Sequence, residues 1–453
     1  MAHGMVREER RDVVVVGAGI AGLMSGTTLS DGADVVVLEA SDRAGGRVES
    51  VRRGEYWVNV GTQFTEGTGA LIDELDKHRI HRGTLAGKKV GLLLNGRMVD
   101  TANPIALMFR TRMTFADRVA LAKVGARIVS AAVGLDPRFE GRSFYNRIRS
   151  ALDKKSAAYV LEGVKSPVAH AMVNSWTGQW MGCDPDETAA PQFVISMSVA
   201  LADPGKVPNF SLPEGGNQTL TDILAEGLGD RLRLGASVDS VERKGDEVLV
   251  RYTDAEGAAQ IHAKRVIIAV PADIAARIVS GLPEDYRAAL GAIGYGRYVV
   301  VGYFTEEEGP SRWDDYYGVS TPLLEFQAVF NHSAAQRGSG PRNPGGALAC
   351  FAGGSKADAL FELSDDDIAD RFSRDLLSIY PELDGKLGTP IVRRHHRVVP
   401  YWGPGQKKSL ATLQQPLGPL WFAGDYALDM PSLADAAASG ERAAKAVLGD
   451  LAG

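Results

Sequence analysis

The chain has 453 residues, with 50 Lys and Arg against 56 Asp and Glu, which gives a formal net charge of −6. Hydrophobic residues make up 45% and charged residues 23%, a balance that excludes disordered, collagen-like and coiled-coil chains. The acidic balance argues against a nucleic-acid partner, and two cysteines, Cys183 and Cys350, exclude a disulfide framework or a zinc cage. We therefore expect reduced thiols, a cytoplasmic location, no signal peptide and no transmembrane segment.

The first predicted unit, over residues 12–40, is strand, loop, helix and strand. Val13–Val16 is a β-branched apolar run, typical of a central parallel strand that is buried on both faces. The loop that follows, Gly17–Gly22, reads Gly-Ala-Gly-Ile-Ala-Gly and leads into a helical stretch. A second β-branched run, Val35–Leu38, ends at Glu39. This order predicts a dinucleotide-binding βαβ unit.

Each residue type in this unit has a physical role. Gly17 permits the tight turn, Gly19 lets a pyrophosphate approach the backbone, and Gly22 lets the helix pack on the strand. The helix N-terminus attracts phosphates, and Glu39 can accept hydrogen bonds from ribose hydroxyls, which disfavours NADP. The neighbours that we expect at the same site are Ala18, Ile20, Ala21 and Ala40.

The segment after the second strand separates FAD from NAD. It reads Glu-Ala-Ser-Asp-Arg-Ala-Gly-Gly-Arg over residues 39–47 and resembles the signature of the flavin amine oxidase superfamily, which includes amine oxidases, protoporphyrinogen oxidases and carotenoid-type desaturases. Gly45 and Gly46 let the backbone pass close to a bulky ligand, and Arg47 can pair with a pyrophosphate. The resemblance implies FAD as the cofactor.

Two further blocks resemble the same superfamily. In the middle block, a helical stretch over 218–228 precedes a hairpin that returns into a buried strand ending at Val270-Pro271. The C-terminal block, Phe422-Ala-Gly-Asp, is followed by an alanine-rich helix from Ser432. The residues to which the resemblance gives FAD contacts are Gly61, Thr62, Val238, Gly424, Asp425, Leu433 and Ala434.

The predicted architecture is α/β, with a Rossmann-like, glutathione-reductase-like FAD domain and a mixed-sheet and helical substrate domain. The FAD domain is discontinuous, assembled from residues 1–85, 206–275 and 391–453. The substrate domain comes from residues 86–205 and 276–390. The eight histidines show no spacing typical of metal ligands, so we expect no metal.

Four residues are predicted to contact the substrate. The segment containing Gln63 resembles the one that passes the flavin ring, and the segment containing Tyr401 and Trp402 resembles the one that supplies aromatic walls. Tyr426 follows the FAD-contacting acid. Aromatic side chains there would sandwich a flat or cationic substrate.

Residues 101–135 carry apolar side chains at roughly helical spacing with interspersed arginines. A helix with this pattern can cover a substrate cavity, which we favour, or lie on a membrane surface.

One departure bears on the reaction. Amine oxidases of the superfamily commonly place a lysine near flavin N5, but residues 294–304 contain none, and Val299 falls at its place. Protoporphyrinogen oxidase-like members and desaturases resemble this lysine-free strand more closely.

The resulting hypothesis is an FAD-dependent oxidoreductase that dehydrogenates a CH–CH or CH–NH bond of an apolar or aromatic small molecule. No catalytic acid, base or nucleophile is identified. Oxygen or a quinone would reoxidise the flavin, and monomer and homodimer both remain open. Two alternatives stand beside it: an amine or L-amino-acid oxidase that releases hydrogen peroxide, and a redox-neutral flavin-dependent isomerase.

Overall fold

A computed structural model describes residues 6–63, 65–66, 69–102, 109–202, 210–337, 343–428 and 431–453. The strands of these ranges are β1 (Arg7–Val16), β2 (Val35–Leu38), β3 (Ser50–Arg53), β4 (Tyr56–Asn59), β5 (Thr65–Glu66), β6 (Arg82–Thr84), β7 (Lys89–Leu94), β8 (Arg97–Asp100), β9 (Phe210–Pro213), β10 (Leu232–Arg233), β11 (Ser237–Lys244), β12 (Glu247–Asp254), β13 (Gly257–Ile268), β14 (Ile293–Tyr295), β15 (Tyr298–Thr305), β16 (Tyr316–Ser320), β17 (Ala328–Asn331), β18 (Gly346–Gly353), β19 (Ile391–His395), β20 (Pro400–Trp402) and β21 (Leu420–Phe422).

The α-helices of the same ranges are α1 (Ile20–Leu29), α2 (Ala70–Lys77), α3 (Phe115–Gly134), α4 (Ser143–Asp153), α5 (Pro167–Met181), α6 (Ala190–Ala202), α7 (Gln218–Leu228), α8 (Ala272–Ile278), α9 (Glu284–Gly291), α10 (Ser333–Gln336), α11 (Ser355–Phe361), α12 (Asp365–Ile379), α13 (Leu410–Leu413) and α14 (Leu433–Ala452). Of the predicted helix over 101–135, residues 103–108 lie outside the described ranges.

The first sheet brings together strands from both ends and the middle of the chain. Its order is β10-β2-β1-β13-β12-β11, and β21 also pairs with β13. The β1, β2, β10, β13 and β21 pairings are parallel, whereas β11, β12 and the first half of β13 form an antiparallel meander. This arrangement confirms the predicted Rossmann-like α/β class.

The valine run of β1 is apolar on both faces because both faces are covered. Val13 and Val15 pack with α1, α7 and α14 on one side of the sheet. Val14 and Val16 pack on the other side, against the meander and helices α8, α9 and α13. Successive side chains of a strand point to opposite faces of the sheet. When both faces are buried, every position of the strand is therefore apolar.

The second sheet has the order β19-β15-β18-β17-β16-β7-β8. One face packs on α11 and α12, and the other turns toward β4 and the inside of the molecule. Since β19 pairs with β15, residues 391–395 belong to this sheet.

Helices α3, α5 and α6 pack together around a separate core formed by residues such as Ile128, Val173 and Phe193. The outer face of α3 carries apolar side chains that remain exposed, among them Phe115 and Val133.

Candidate functional site

A cavity of about 1270 Å³ lies between the first sheet, the second sheet and the α3, α5 and α6 helices. Pockets for small ligands span roughly 300–1,000 Å³, so this cavity has room for more than one small molecule. One part of its wall is built by the glycine-rich loop and its neighbours, and we call it the cofactor half. The other part, built by the three helices and the second sheet, is the substrate half.

The glycine-rich loop has the geometry that its sequence predicts. Gly17 has φ +100°, a conformation that residues with a Cβ rarely adopt. A Cβ on Gly22 would lie 1.8 Å from the carbonyl oxygen of Gly17, so the third glycine is required for the helix to approach the turn. No side chain caps the N-terminus of α1. Its first backbone N–H groups therefore lie at the cavity with the positive end of the helix dipole, as anion binding requires.

Glu39 lies at the end of β2 with both carboxylate oxygens engaged by backbone donors. The N–H of Ala18 donates to Oε2 at 2.7 Å, and the N–H of Ser41 donates to Oε1 at 2.9 Å. Each oxygen keeps a lone pair that can accept from another donor. The carboxylate lines the cavity in a fixed orientation, as a ribose-binding acid would need.

Arg47 connects the two ends of the chain at the cavity wall. Its Nη2 donates to Asp425 Oδ1 at 2.8 Å, and its Nη1 donates to the carbonyl oxygen of Val398. The Asp425 side chain is only 10% exposed, so the ion pair is fixed in a partly desolvated place. A guanidinium held this way still has N–H groups for a phosphate.

Most of the residues predicted to bind FAD lie in this wall: Gly17, Gly19, Ile20, Ala21, Glu39, Ala40, Gly45, Gly46, Arg47, Gly61, Thr62, Val238, Gly424, Asp425 and Leu433. Ala18, Gly22 and Ala434 are outside the lining. Ala18 acts through its hydrogen bond to Glu39, and Gly22 acts through helix packing. The uncapped helix, the cradle of glycines and the oriented acid all fit an FAD molecule.

The predicted substrate residues separate into two pairs. Gln63 and Tyr426 line the cavity, but Tyr401 and Trp402 do not. The Tyr401 hydroxyl donates to Glu187 at 3.1 Å. Trp402 is 3% exposed within the core beneath the first sheet. Both residues lie on β20, which pairs with β14, and of this strand Pro400 lines the cavity.

The aromatic wall comes instead from α5, which the sequence did not single out. Trp176 and Trp180 stack with ring centroids 5.4 Å apart, and both line the substrate half. The Trp176 indole N–H donates to Ser196, which fixes that ring. The two tryptophans are four residues apart on a helix and so share one face, a spacing that could have indicated a common surface.

The second sheet adds Tyr298 and Tyr317 to the cavity. Val299, the residue predicted at the lysine position, points to the opposite face of β15 and is buried against α11 and α12. Burial raises the pKa of Tyr298, Tyr317 and Tyr426, so these phenols stay protonated and serve as neutral hydrogen-bond groups.

Charged side chains are confined to one region of the described lining. Among the described residues, the acidic and basic ones that line the cavity, together with histidine, are Glu39, Arg47, Arg277, His395, Asp425 and Asp435. Glu39, Arg47 and Asp425 follow strands of the first sheet, Arg277 and Asp435 lie on α8 and α14, and His395 lies on β19 at the edge of the second sheet. Burial lowers the pKa of His395, which is therefore neutral at pH 7. No described residue of α3, α5, α6, β7 or β16 brings a charge to the substrate half, and the described lining contains no lysine.

The described ranges also bear on membrane insertion and metal binding. No helix there is long and apolar enough to cross a membrane. No group of three or more His, Cys, Asp or Glu side chains there could hold a metal ion.

Comparisons with known proteins agree with this geometry. The family model described as flavin containing amine oxidoreductase matches residues 20–448. A probable flavin-containing monoamine oxidase A from Dictyostelium discoideum is 25% identical over 278 residues, 59% of each chain. An L-amino-acid oxidase from Notechis scutatus scutatus is 27% identical, covering 63% of this chain and 56% of its own length. The matches thus span less than two thirds of these relatives.

Among solved structures, cyclohexylamine oxidase from Brevibacterium oxydans IH-35A has a TM-score of 0.79 at 20% identity, covering 98% of this chain and 100% of its own. Wild-type putrescine oxidase bound to putrescine has a TM-score of 0.76 at 19% identity with the same coverage. At this level of identity the likeness concerns the fold.

Proposed function

The chain belongs to the flavin-containing amine oxidoreductases, and from that premise we propose that it oxidises the CH–NH bond of an apolar monoamine. The observation that carries the proposal is the substrate half of the cavity, whose described walls bear no charge. These walls are mainly aromatic and aliphatic, with neutral polar side chains such as Ser175, Gln179 and Gln192 among them. Trp176 and Trp180 provide flat surfaces, and Met172, Phe193 and Phe330 complete an apolar enclosure. Such a wall binds through burial of apolar area and aromatic contact.

The neutrality of the substrate half favours this substrate class over two others. An L-amino acid would bring a carboxylate into the chamber, and a diamine would bring a second ammonium. Burying either charge without a partner is costly, and the described walls of the substrate half offer no cation or acid as a partner. An amine with a neutral body can enter as the uncharged free base, which has a nitrogen lone pair and no buried charge.

FAD, when bound, would supply the oxidising chemistry as the hydride acceptor. The protein residues would hold the cofactor and orient the substrate. Arg47 and the first turn of α1 would bind the pyrophosphate, and Glu39 would bind a ribose. The stacked indoles of α5 would hold the substrate body and exclude water, so catalysis would depend mainly on orientation.

The test is anaerobic mixing of the purified holoprotein with candidate reductants while the flavin band near about 450 nm is recorded. We expect cyclohexylamine or 2-phenylethylamine to bleach the band, and putrescine and L-leucine to leave it unchanged. Bleaching by L-leucine or putrescine and not by either monoamine would contradict the neutral-substrate proposal. A preparation that neither holds nor takes up FAD would contradict the proposed FAD-binding residues.

A second candidate is CH–CH dehydrogenation of an apolar molecule. The resemblance to protoporphyrinogen oxidase-like members and desaturases suggests this reaction. The observation that favours it is the lysine-free lining of the described cavity. Product analysis distinguishes the two reactions, because CH–CH dehydrogenation gives a product two hydrogens lighter with its skeleton intact. Amine oxidation followed by hydrolysis gives a carbonyl compound and free amine or ammonia.

A further inference from the structure

Helix α3 is apolar on two opposite faces. Its inner face supplies Leu121, Val124 and Ile128 to the cavity wall. The side chains at successive turns of its outer face are also apolar and exposed: Phe115, Val119, Ala122, Ala126, Val129 and Val133. A surface helix of a water-soluble domain ordinarily turns polar side chains outward, so a stripe of this kind indicates a missing partner.

The exposure of this stripe is large. Phe115 is 78% exposed, Val133 is 66% exposed, and Val119 and Val129 are each exposed by about half, at 52% and 51%. Phe109, just before the helix, is 73% exposed and lies 5.8 Å from the Arg118 guanidinium. We call Phe109 together with the outer stripe of α3 the apolar ridge.

The ridge lies in a strongly basic part of the chain. Residues 109–155 contain 11 Lys and Arg and 4 Asp and Glu, a balance of +7 within a chain of net charge −6. The one acid on α3, Asp117, caps its own helix through Thr114 and accepts a hydrogen bond from Ser166. Arg110, Arg112 and Lys123, which adjoin the ridge in the sequence, are exposed. Exposed apolar side chains beside exposed cations are the combination that binds the headgroup region of anionic bilayers.

We propose that the apolar ridge docks the protein on an anionic lipid surface. A second copy of the chain is a poorer occupant, because a symmetric dimer through this face would bring two regions of charge +7 together. The ridge is the outer face of α3, and the inner face of the same helix lines the substrate half of the cavity. A docked protein would therefore hold the substrate half close to the lipid. This surface proposal concerns binding alone, and it stands or falls independently of the proposed amine oxidation.

The test is co-sedimentation of the flavin-loaded protein with vesicles. One set is pure phosphatidylcholine, and the other contains about one third phosphatidylglycerol, each at ~0.1 M and ~0.5 M NaCl. We expect the protein to sediment with the anionic vesicles at low salt, at least tenfold less with the neutral vesicles, and several-fold less at high salt.

Matched variants identify the surface. Phe115→Ser/Val119→Ser removes two ridge side chains that line no cavity, and Leu234→Ser/Leu323→Ser removes two exposed leucines elsewhere, 43% and 47% exposed. Arg110→Glu changes the charge beside the ridge, and Arg287→Glu makes the same change on α9. We expect the first member of each pair to lose at least fivefold in vesicle binding and the second to bind as the original protein does.

Three results would overturn the proposal. The first is that the protein binds neither kind of vesicle. The second is that the ridge variant and its control lose vesicle binding equally. The third is that the protein binds no vesicles but forms a dimer in solution, and the ridge variant dissociates that dimer. Each variant is first shown to retain its flavin content and melting temperature, so a folding defect is separated from a binding defect. If Phe115→Ser/Val119→Ser does not fold, Arg110→Glu against Arg287→Glu decides the question.

Discussion

Arg47 and Asp425, separated by 378 positions in the sequence, form an ion pair of 2.8 Å at the wall of the cavity. The pair joins the loop that follows the first βαβ unit to the end of β21. Because both residues are also predicted to contact FAD, we propose that cofactor binding and the packing of these two segments depend on the same contact.

Replacing Asp425 with Asn should therefore lower both stability and FAD retention. The change leaves a partly desolvated guanidinium without its counter-charge, for which we expect a loss of about 2 kcal/mol in the free energy of unfolding. Asp273→Asn is the control, because it breaks an ion pair with Arg397 in which the Asp273 side chain is 43% exposed and the Arg397 side chain 45% exposed. This change should lower the free energy of unfolding by less than about 1 kcal/mol. Denaturant titration and the flavin-to-protein absorbance ratio measure the two effects. Equal small losses in both variants would show that the Arg47–Asp425 pair has no special role.

Glu39→Ala should weaken FAD retention without unfolding the chain. The carboxylate is predicted to bind a ribose, and among the described residues it accepts hydrogen bonds from the N–H groups of Ala18 and Ser41. Gel filtration followed by a flavin assay should show a several-fold loss of cofactor. Glu242→Ala, at an exposed ion pair with Lys244, is the control and should keep full flavin content. Unchanged flavin in Glu39→Ala would disprove the ribose role.

Gly440→Ala should destabilise the protein, whereas Gly449→Ala on the same helix should not. A Cβ on Gly440 would lie 2.0 Å from the carbonyl oxygen of Ala21, where α14 crosses α1. Nothing lies within 4 Å of a Cβ on Gly449. We expect a loss of about 2 kcal/mol for the first and a gain of up to about 1 kcal/mol for the second. Thermal melts of the two variants side by side test the contrast, which a loss of similar size at both positions would contradict.

Trp176→Leu and Trp402→Leu should have different consequences. Trp176 lines the substrate half, so its loss should raise KM for an apolar amine several-fold with a small change in stability. Trp402 is 3% exposed in a core, and its loss should cost about 3 kcal/mol of stability. Steady-state kinetics and denaturant melts on both variants decide the matter. If the Trp402 variant melts normally but turns over slowly, Trp402 contacts the substrate as the sequence predicts.

His332 should make stability depend on pH. Burial lowers its pKa from 6.5 to about 3, and neither ring nitrogen has a hydrogen-bond partner among the described residues. Between these pKa values the unfolded chain binds a proton that the folded chain does not, so stability falls as pH falls below about 6.5. From pH 7.5 to pH 5 the loss should be about 2 kcal/mol.

The matched variants for this prediction are His332→Leu and His81→Leu. His332→Leu removes the buried imidazole and should reduce the loss between pH 7.5 and pH 5. His81→Leu, at an exposed position, should leave the loss unchanged. Urea midpoints at the two pH values provide the measurement, and an undiminished loss in His332→Leu would rule out the buried imidazole as its source.

The sequence by itself determined the cofactor half. The order of strand, glycines, helix, strand and acid over 12–40 is local, and each residue type there is required by backbone conformation or phosphate chemistry, so it could be read without the fold. The βαβ unit of β1 and β2 and the hairpin of β12 and β13 followed from the same kind of short-range pattern. The parallel pairing of β1 with β13 joins distant segments of the chain and is seen only in the structure.

Only the tertiary structure decided the substrate half. The aromatic wall of Trp176 and Trp180 depends on how α5 is placed against the second sheet, and no local signal fixes that placement. Tyr401 and Trp402 lie outside the described cavity lining, although Pro400 of the same strand is part of it. Tyr298 lines the cavity while Val299 is buried on the other face of β15, because side chains alternate between the faces of a strand. Backbone conformation is determined by a few neighbouring residues, whereas long-range packing determines whether a side chain points into a cavity.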